Sequence, residues 1–421
     1  MRILLTNNTV AYRAGTELYV RDVAIELMRR GHQPVVYSTH LGEVADEIRS
    51  ATVAVIGSLE ALGEAPDVIH AHHNYEAVAA IMQFPQVPAV SFCHGWTPWE
   101  EKPLRFPQVR RYVAVSEVCR ERLIAEGGIS PCLVELLPNF FDGRLFPPRD
   151  PLPRLPRLAL SFSNTIGEES GLPLIRKACR NCGIQLETMG KATGRIERHP
   201  GQALAKYDIV FARDRCAIEA MAVGAAVILC DVGRLGPMVS TDKFWKLRSV
   251  NFGLRSLSEP FTEDGLTEAI RRYDASDAAA VSAMARGECE MQPAVDRILA
   301  IYGKAIEEAR QAAPISAAEC NRALVVYLEE SAEHHKGFRL AETNREWSEK
   351  YLEWTRRERL LQTEIASMRA SASWRWSQRI LQNGLVKRAL GGLIQRVAKH
   401  SNRTAGARES IASQQQRARI D

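Results

Sequence analysis

No apolar run in the 421 residues approaches the roughly 20 that a helix needs to cross a bilayer, so a helical membrane span is excluded. The opening Met1-Arg-Ile-Leu-Leu-Thr-Asn turns polar too soon for a secretory leader, and the expected location is the cytoplasm. The nine cysteines show no regular spacing, which argues against a disulfide scaffold and for reduced thiols. Cys179-Arg-Asn-Cys182 is a close pair. It falls at the end of the helix expected over 172–182, and no second pair stands at metal-site spacing, so neither metal nor redox use is expected of it. Positive charge is also missing from the main body. The net charge is +5, yet residues 371–421 hold ten lysines and arginines against Glu409 and Asp421, which leaves the preceding residues net acidic. A nucleic-acid partner is not expected of such a body.

What is present is the composition of a globular protein, 46% hydrophobic and 25% charged, long enough for two or three domains. Short apolar strands are expected at 1–6, 34–38, 53–56, 68–70, 89–93, 112–115 and 133–137, with a helix over 17–30 ended by Gly31. Strands recurring with helices between them imply right-handed crossovers and a parallel sheet. The proline-rich stretch 147–156 then interrupts the pattern. Alternation restarts with strands at 158–162, 185–189, 208–211 and 226–230 and helices between them, and 261–310 reads as helical. The expected organisation is a Rossmann-like α/β domain over 1–147, a linker over 148–156 and a second Rossmann-like domain over 157–310. A helical extension over 311–370 and a basic tail over 371–421 follow.

The richest local chemistry lies between Phe211 and Gly233. An apolar strand ends at Asp214, which is expected to cap a helix whose first turn points free N–H groups and positive dipole outward. Such an end suits a diphosphate. Arg213 and Arg215 flank the helix start with fixed positive charge, and Gly224 closes the helix before the next strand. Glu219 lies deeper in the same helix, where a carboxylate can accept ribose hydroxyls. The alternative is an ordinary strand-helix-strand unit with a solvated glutamate.

Beyond Pro314 the pattern becomes uninterrupted helix. Trp347, Tyr351, Trp354, Leu361, Ile365 and Met368 form one apolar seam, which is read either as packing on the chain's own domains or as a homodimer contact through 340–370. Residues 373–399, with Trp374, Trp376 and a Val386-Leu390-Leu393-Val397 face beside lysines and arginines, make a basic amphipathic segment. It suits either an anionic membrane surface or simple packing. The last residues have a disordered composition.

Taken in order, several segments resemble the retaining glycosyltransferases of family 4. Arg13-Ala-Gly-Thr-Glu-Leu-Tyr-Val with Arg30-Gly-His32 is similar to the family's glycine loop and first helix, and Asp67-Val-Ile-His-Ala-His72 to its His-x-His strand. Phe92-Cys-His-Gly95 matches the strand end that presents an active-site histidine. Val113-Ala-Val-Ser-Glu117, Leu137-Pro-Asn-Phe-Phe-Asp142 and Glu219-Ala-Met-Ala-Val-Gly224 complete the series over about 1–310. The resemblance implies the GT-B fold, two Rossmann-like domains facing a cleft, followed here by the C-terminal helices. It implies transfer of a sugar, with retention, from a nucleoside-diphosphate sugar to a glycan or lipid-linked acceptor, with no metal or other cofactor. Similarity to surface-polysaccharide enzymes is seen in Gly233-Arg-Leu-Gly-Pro237 and in the Ser-x-Ser-Trp-Arg tail. It assigns His94 and Glu219 to catalysis, His94 meeting the transferred sugar. Gly15, Thr16, Lys191, Arg213, Asp214, Arg215 and Glu219 are assigned to the donor. His70, His72 and His73 become structural or cleft-lining rather than zinc ligands.

The chain departs from the family in two places that bear on catalysis. Phe211 stands where a first, sugar-contacting glutamate is usual, and Ser161-Phe-Ser-Asn-Thr-Ile-Gly-Glu-Glu169 lacks the usual Arg and Lys pair for the diphosphate. Arg213, Arg215 or Lys191 are the available substitutes. These gaps leave two other readings open: a GT-B-like protein that binds nucleotide sugar or glycan without turnover, and a membrane-associated scaffold for glycan enzymes.

Overall fold

The computed structural model describes residues 1–370 and the single positions 373 and 384, and it divides into two units, Met1–Glu329 and Glu330–Asp421. The basic segment 373–399 and the rest of the tail therefore fall, but for those two positions, outside the described residues. The first unit opens with β1 (Arg2–Thr6), α1 (Gly15–Arg29), β2 (Gln33–Tyr37), α2 (Glu43–Ser50), β3 (Ala54–Ile56) and β4 (Val68–Ala71). It continues through α3 (Asn74–Gln83), β5 (Ala89–Cys93), β6 (Val109–Ala114), α4 (Glu117–Ala125) and β7 (Val134–Leu136). These strands form one parallel sheet in the order β3-β2-β1-β4-β5-β6-β7. The chain order reverses between β1 and β4, and ligands of such sheets bind beyond the carboxyl ends of the strands at that point.

A second sheet follows the proline-rich bridge. Its elements are β8 (Leu158–Phe162), α5 (Leu172–Asn181), β9 (Gln185–Met189), α6 (Pro200–Leu204), β10 (Ile209–Ala212), α7 (Asp214–Val223) and β11 (Ala226–Asp231). Then come β12 (Arg234–Met238), α8 (Phe244–Ser249), β13 (Glu259–Pro260), α9 (Glu263–Arg271) and α10 (Ala275–Glu288). The order is β13-β12-β11-β10-β8-β9, parallel except at β12 and β13. Its reversal falls between β8 and β10. Strand β10 is buried along its whole length, as expected for a central parallel strand covered on both faces, and Phe211 is entirely buried within it. Gly224 ends α7 in the left-handed region, φ 107°, as its position in the sequence predicts.

The expected domain boundaries need correction at the C-terminal side. Helix α11 (Met291–Gln311) does not belong to the second sheet. Its Val295, Ile298, Ile301, Tyr302 and Ala305 pack with Ile3, Leu5, Val20, Val23 and Leu27 in the core of the first. The start of α12 (Ala317–Ala370) also covers that domain, with Ala323, Leu324 and Tyr327 set against Tyr112, Leu104 and Phe106. The chain passes between the two halves twice at one place, where the Phe141 amide donates to the Cys289 carbonyl at 2.9 Å and the Met291 amide to the Phe141 carbonyl at 3.0 Å. The extension read over 311–370 thus begins later, at the unit boundary after Glu329. Along the rest of α12, Trp347, Tyr351, Trp354, Leu361, Ile365 and Met368 are exposed. Among the described residues no helix is long and apolar enough to cross a membrane.

Candidate active site

On the first sheet, the carboxyl ends of β4 and β5 bring four histidines together. His70 in β4 and His72 just past its end are joined through their Nε2 atoms, while His70 Nδ1 pairs with the Tyr302 hydroxyl of α11. These contacts give the two rings structural partners. His73 has φ 55°, an uncommon backbone state outside glycine, and its Nε2 stands 3.5 Å from Glu101. The other oxygen of Glu101 accepts the His94 amide at 2.9 Å, so one buried carboxylate fixes both the His73 ring and the His94 backbone. Burial alone would raise the Glu101 carboxyl, but the His73 and His94 contacts hold it below the ordinary range. Burial pushes the His94 imidazole down to about 4, so it is neutral at neutral pH. Its Nε2 is buried without a partner.

Tyr19 of α1 lies over this cluster, edge-on to His94 at 4.6 Å between ring centroids and 4.9 Å from Phe140. One turn further along α1, Asp22 reaches the second half of the unit. It pairs with Nη2 of Arg215, whose Nε donates to Glu219 at 2.7 Å on the next turn of α7. On its other side Asp22 accepts from Arg21 at 2.8 Å, and Arg21 continues to Glu47 at 2.7 Å. Glu47 also takes Arg13. Arginines and carboxylates alternate along this chain, three of each, from α2 through α1 to α7. The Arg215 charge holds Asp22 ionised against its burial, whereas burial raises Glu219 above the ordinary carboxylate range.

At the start of α7 the structure corrects the expected cap. Asp214 is the first helical residue, with φ 50°, and its carboxylate accepts from Arg213 rather than from the helix backbone. Burial pushes its carboxyl up to about 6, against the pull of Arg213. Arg213 also pairs with Asp231 at 2.8 Å, and Asp231 accepts the Thr165 hydroxyl at 2.6 Å. Both arginines read as free cations are therefore spent: Arg213 on Asp214 and Asp231, Arg215 on Asp22 and Glu219. Asp22 is shared with Arg21, so three cations meet these four carboxylates. Gly253 makes room beneath Asp214, since a Cβ there would stand 2.5 Å from a carboxylate oxygen.

The sequence-expected residues thus separate into groups. Arg215 and Glu219 share a helix face that meets α1, and the histidine cluster that includes His94 packs on Tyr19 of that helix. Arg213 and Asp214 sit at the carboxyl end of β10 and pair toward β11. Lys191 is exposed at the end of the outer strand β9, where its amide donates to Asn164 at 3.0 Å. Gly15 and Thr16 open α1; a Cβ on Gly15 would meet nothing within 4 Å, and the Thr16 hydroxyl donates to Glu17 at 3.0 Å. Tyr19, Asp22, Glu101 and Asp231 were not singled out. Asp22 carried a signal, a carboxylate between Val20 and Val23 on the apolar face of α1. Glu101 carried none, because it lies in a loop and its partners are distant in sequence.

Residues 13–144 match the family model described as Glycosyltransferase Family 4. No curated protein matches the chain at a significant level. A glycosyltransferase from Rickettsia africae has a similar structure, with TM-score 0.53, 13% identity and coverage of 72% of this chain and 98% of that one. The Anabaena protein HepE, solved in complex with UDP and glucose, gives TM-score 0.53 at 17% identity, covering 72% of this chain and 100% of that one. Sucrose-phosphate synthase from Thermosynechococcus elongatus gives TM-score 0.50 at 14% identity, covering 72% and 98%. Match and fold together support a glycosyltransferase with the GT-B fold. The chain resembles family 4 over the first of its two Rossmann-like halves, and the C-terminal helices follow both.

Proposed function

We propose that the protein transfers a hexose, with retention, from a nucleoside-diphosphate sugar to a glycan or lipid-linked acceptor in surface polysaccharide synthesis, without a divalent metal. The observation that carries this reading is the buried Arg215–Glu219 pair on α7, which meets Asp22 of α1. Glu219 has Oε1 on Arg215 and is assigned to the ribose through its other oxygen. Arg215 is assigned to the diphosphate, where charge develops as the leaving group departs. Asp22 occupies Nη2, so the diphosphate is assigned to Nη1, which has no partner. His94, neutral and with Nε2 unpartnered, is assigned to a hydroxyl of the transferred sugar. That the similarly folded HepE was solved with UDP and glucose supports this class of donor.

A second reading is favoured by the pairing of the cations. Arg213 and Arg215 are each already held by two carboxylates, which suits a protein that binds a neutral glycan, or a nucleotide sugar without turnover. Turnover of a nucleotide-sugar panel separates the two: release of nucleoside diphosphate is expected, undiminished by exhaustive EDTA. Loss of turnover in EDTA with recovery in magnesium or manganese would overturn the metal-free assignment. Cytoplasmic placement, association of two copies through 340–370 and contact of 373–399 with an anionic membrane belong to the same proposal. The exposed seam of α12 supports the second of these.

A further inference from the structure

Hydrogen-bonding atoms around the join of α1, α7 and the histidine cluster that are buried and without partners include Tyr19 Oη, His72 Nδ1, His94 Nε2 and Arg215 Nη1. Buried polar groups are ordinarily paired, and a tyrosine hydroxyl in a protein interior ordinarily finds an acceptor. Tyr19 is 3% exposed. The nearby Tyr302 shows the ordinary case, its hydroxyl paired with His70. Tyr19 and Asp22 lie three residues apart on one face of α1, and Asp22 holds the same guanidinium whose Nη1 is free. Arg215 is also the charge that acts on the Tyr19 phenol, which burial keeps protonated. A phenol and a guanidinium N–H form a pair of donors suited to an anionic oxygen.

Resting on the donor assignment above, we propose that Tyr19 is a catalytic residue whose hydroxyl, with Arg215 Nη1, hydrogen-bonds the departing diphosphate. In the transfer the bond between the anomeric carbon and the diphosphate oxygen breaks, and its electron pair leaves with that oxygen. The acceptor hydroxyl oxygen forms the new bond on the same face, and its proton passes to the departing diphosphate. Tyr19 keeps its own proton throughout and stabilises the charge that the leaving oxygen gains.

The test is Tyr19→Phe in the full chain, read three ways. Loss of one preorganised donor should lower kcat on the best donor by about 100-fold, with KM little changed. The thermal shift given by UDP or by inorganic pyrophosphate should shrink. The ligand-free Tm should hold or rise, because the substitution removes an unpartnered buried hydroxyl, whereas Tyr302→Phe, which breaks a made hydrogen bond, should lower it. Unchanged turnover and unchanged ligand shift in Tyr19→Phe would overturn the inference, as would a fall in ligand-free Tm with no change in kcat. If the wild type uses no nucleotide sugar, the transferase reading fails. The diphosphate contact would still stand if pyrophosphate or UDP stabilises the wild type more than Tyr19→Phe, and it falls if neither ligand stabilises the wild type.

Discussion

Arg215 sits between two carboxylates, so removing either one leaves a buried cation with half its compensation. Glu219→Ala should therefore lower stability by roughly 1.5 to 3 kcal/mol, the worth of a hydrogen bond to a charged group, as measured by urea unfolding. Glu219→Gln keeps an acceptor for Arg215 and should cost less, while still losing nucleotide affinity. If Glu219→Ala unfolded at the wild-type urea midpoint, the carboxylate would be idle in the network. His94 gives a second prediction at this scale. In the unfolded chain its imidazole titrates near 6.5, whereas in the fold burial holds it down to about 4. Between those values the unfolded state carries a proton that the folded state lacks, so stability falls as pH drops from 6.5 to 4. His70 and His72 are lowered in the same sense, and Asp214, raised to about 6, works against them below that pH. The Tm of His94→Gln should accordingly fall less than that of the wild type between pH 7 and pH 5. Parallel curves would mean that His94 titrates alike in the folded and unfolded chain, and that burial does not lower it.

At the scale of elements, α11 is the piece whose removal tells most. Its buried Val295, Ile298, Ile301 and Tyr302 complete the core under β1, β4 and β5. Residues 1–290 should lack a cooperative thermal transition, or melt well below the full chain, although they hold both sheets. A sharp, native-like melt of that fragment would show that α11 is an accessory. The strands themselves were legible in the sequence: β8, β9 and β5 fall where the apolar runs between turn residues put them. The partner of α11 was not, because an apolar stripe states that a helix packs without stating on what. The same limit applies at the site. The strand, helix and closing Gly224 read from the sequence placed Glu219 on α7, but neither the left-handed backbone of Asp214 nor the reach of Asp22 to Arg215, 193 residues away, has a local signal.

For the molecule as a whole, the two halves of the first unit are bridged by ion pairs of unequal depth. Glu121–Arg255 is about half exposed on both sides, while Asp22–Arg215 is buried. Exposed pairs are worth at most about 1 kcal/mol and are screened by salt, whereas breaking a buried pair costs roughly 3 to 5 kcal/mol. Arg255→Ala should thus be near neutral in unfolding, with any loss fading at high salt. Arg215→Met should be strongly destabilising at every ionic strength. Equal effects of the two would mean that the Asp22 contact is not formed in solution.

The double passage near Phe141 and Met291 makes the second half an insertion within the first. On the ribosome, β7 is finished about 155 residues before α11 begins. At roughly 5 to 20 residues per second the N-terminal core stays open for about 8 to 30 s while the other half is made. Its apolar face under β1 and β4 is exposed throughout that interval. Chaperone cover during synthesis should therefore raise the soluble yield of the full chain, and an equal yield without it would rule this out.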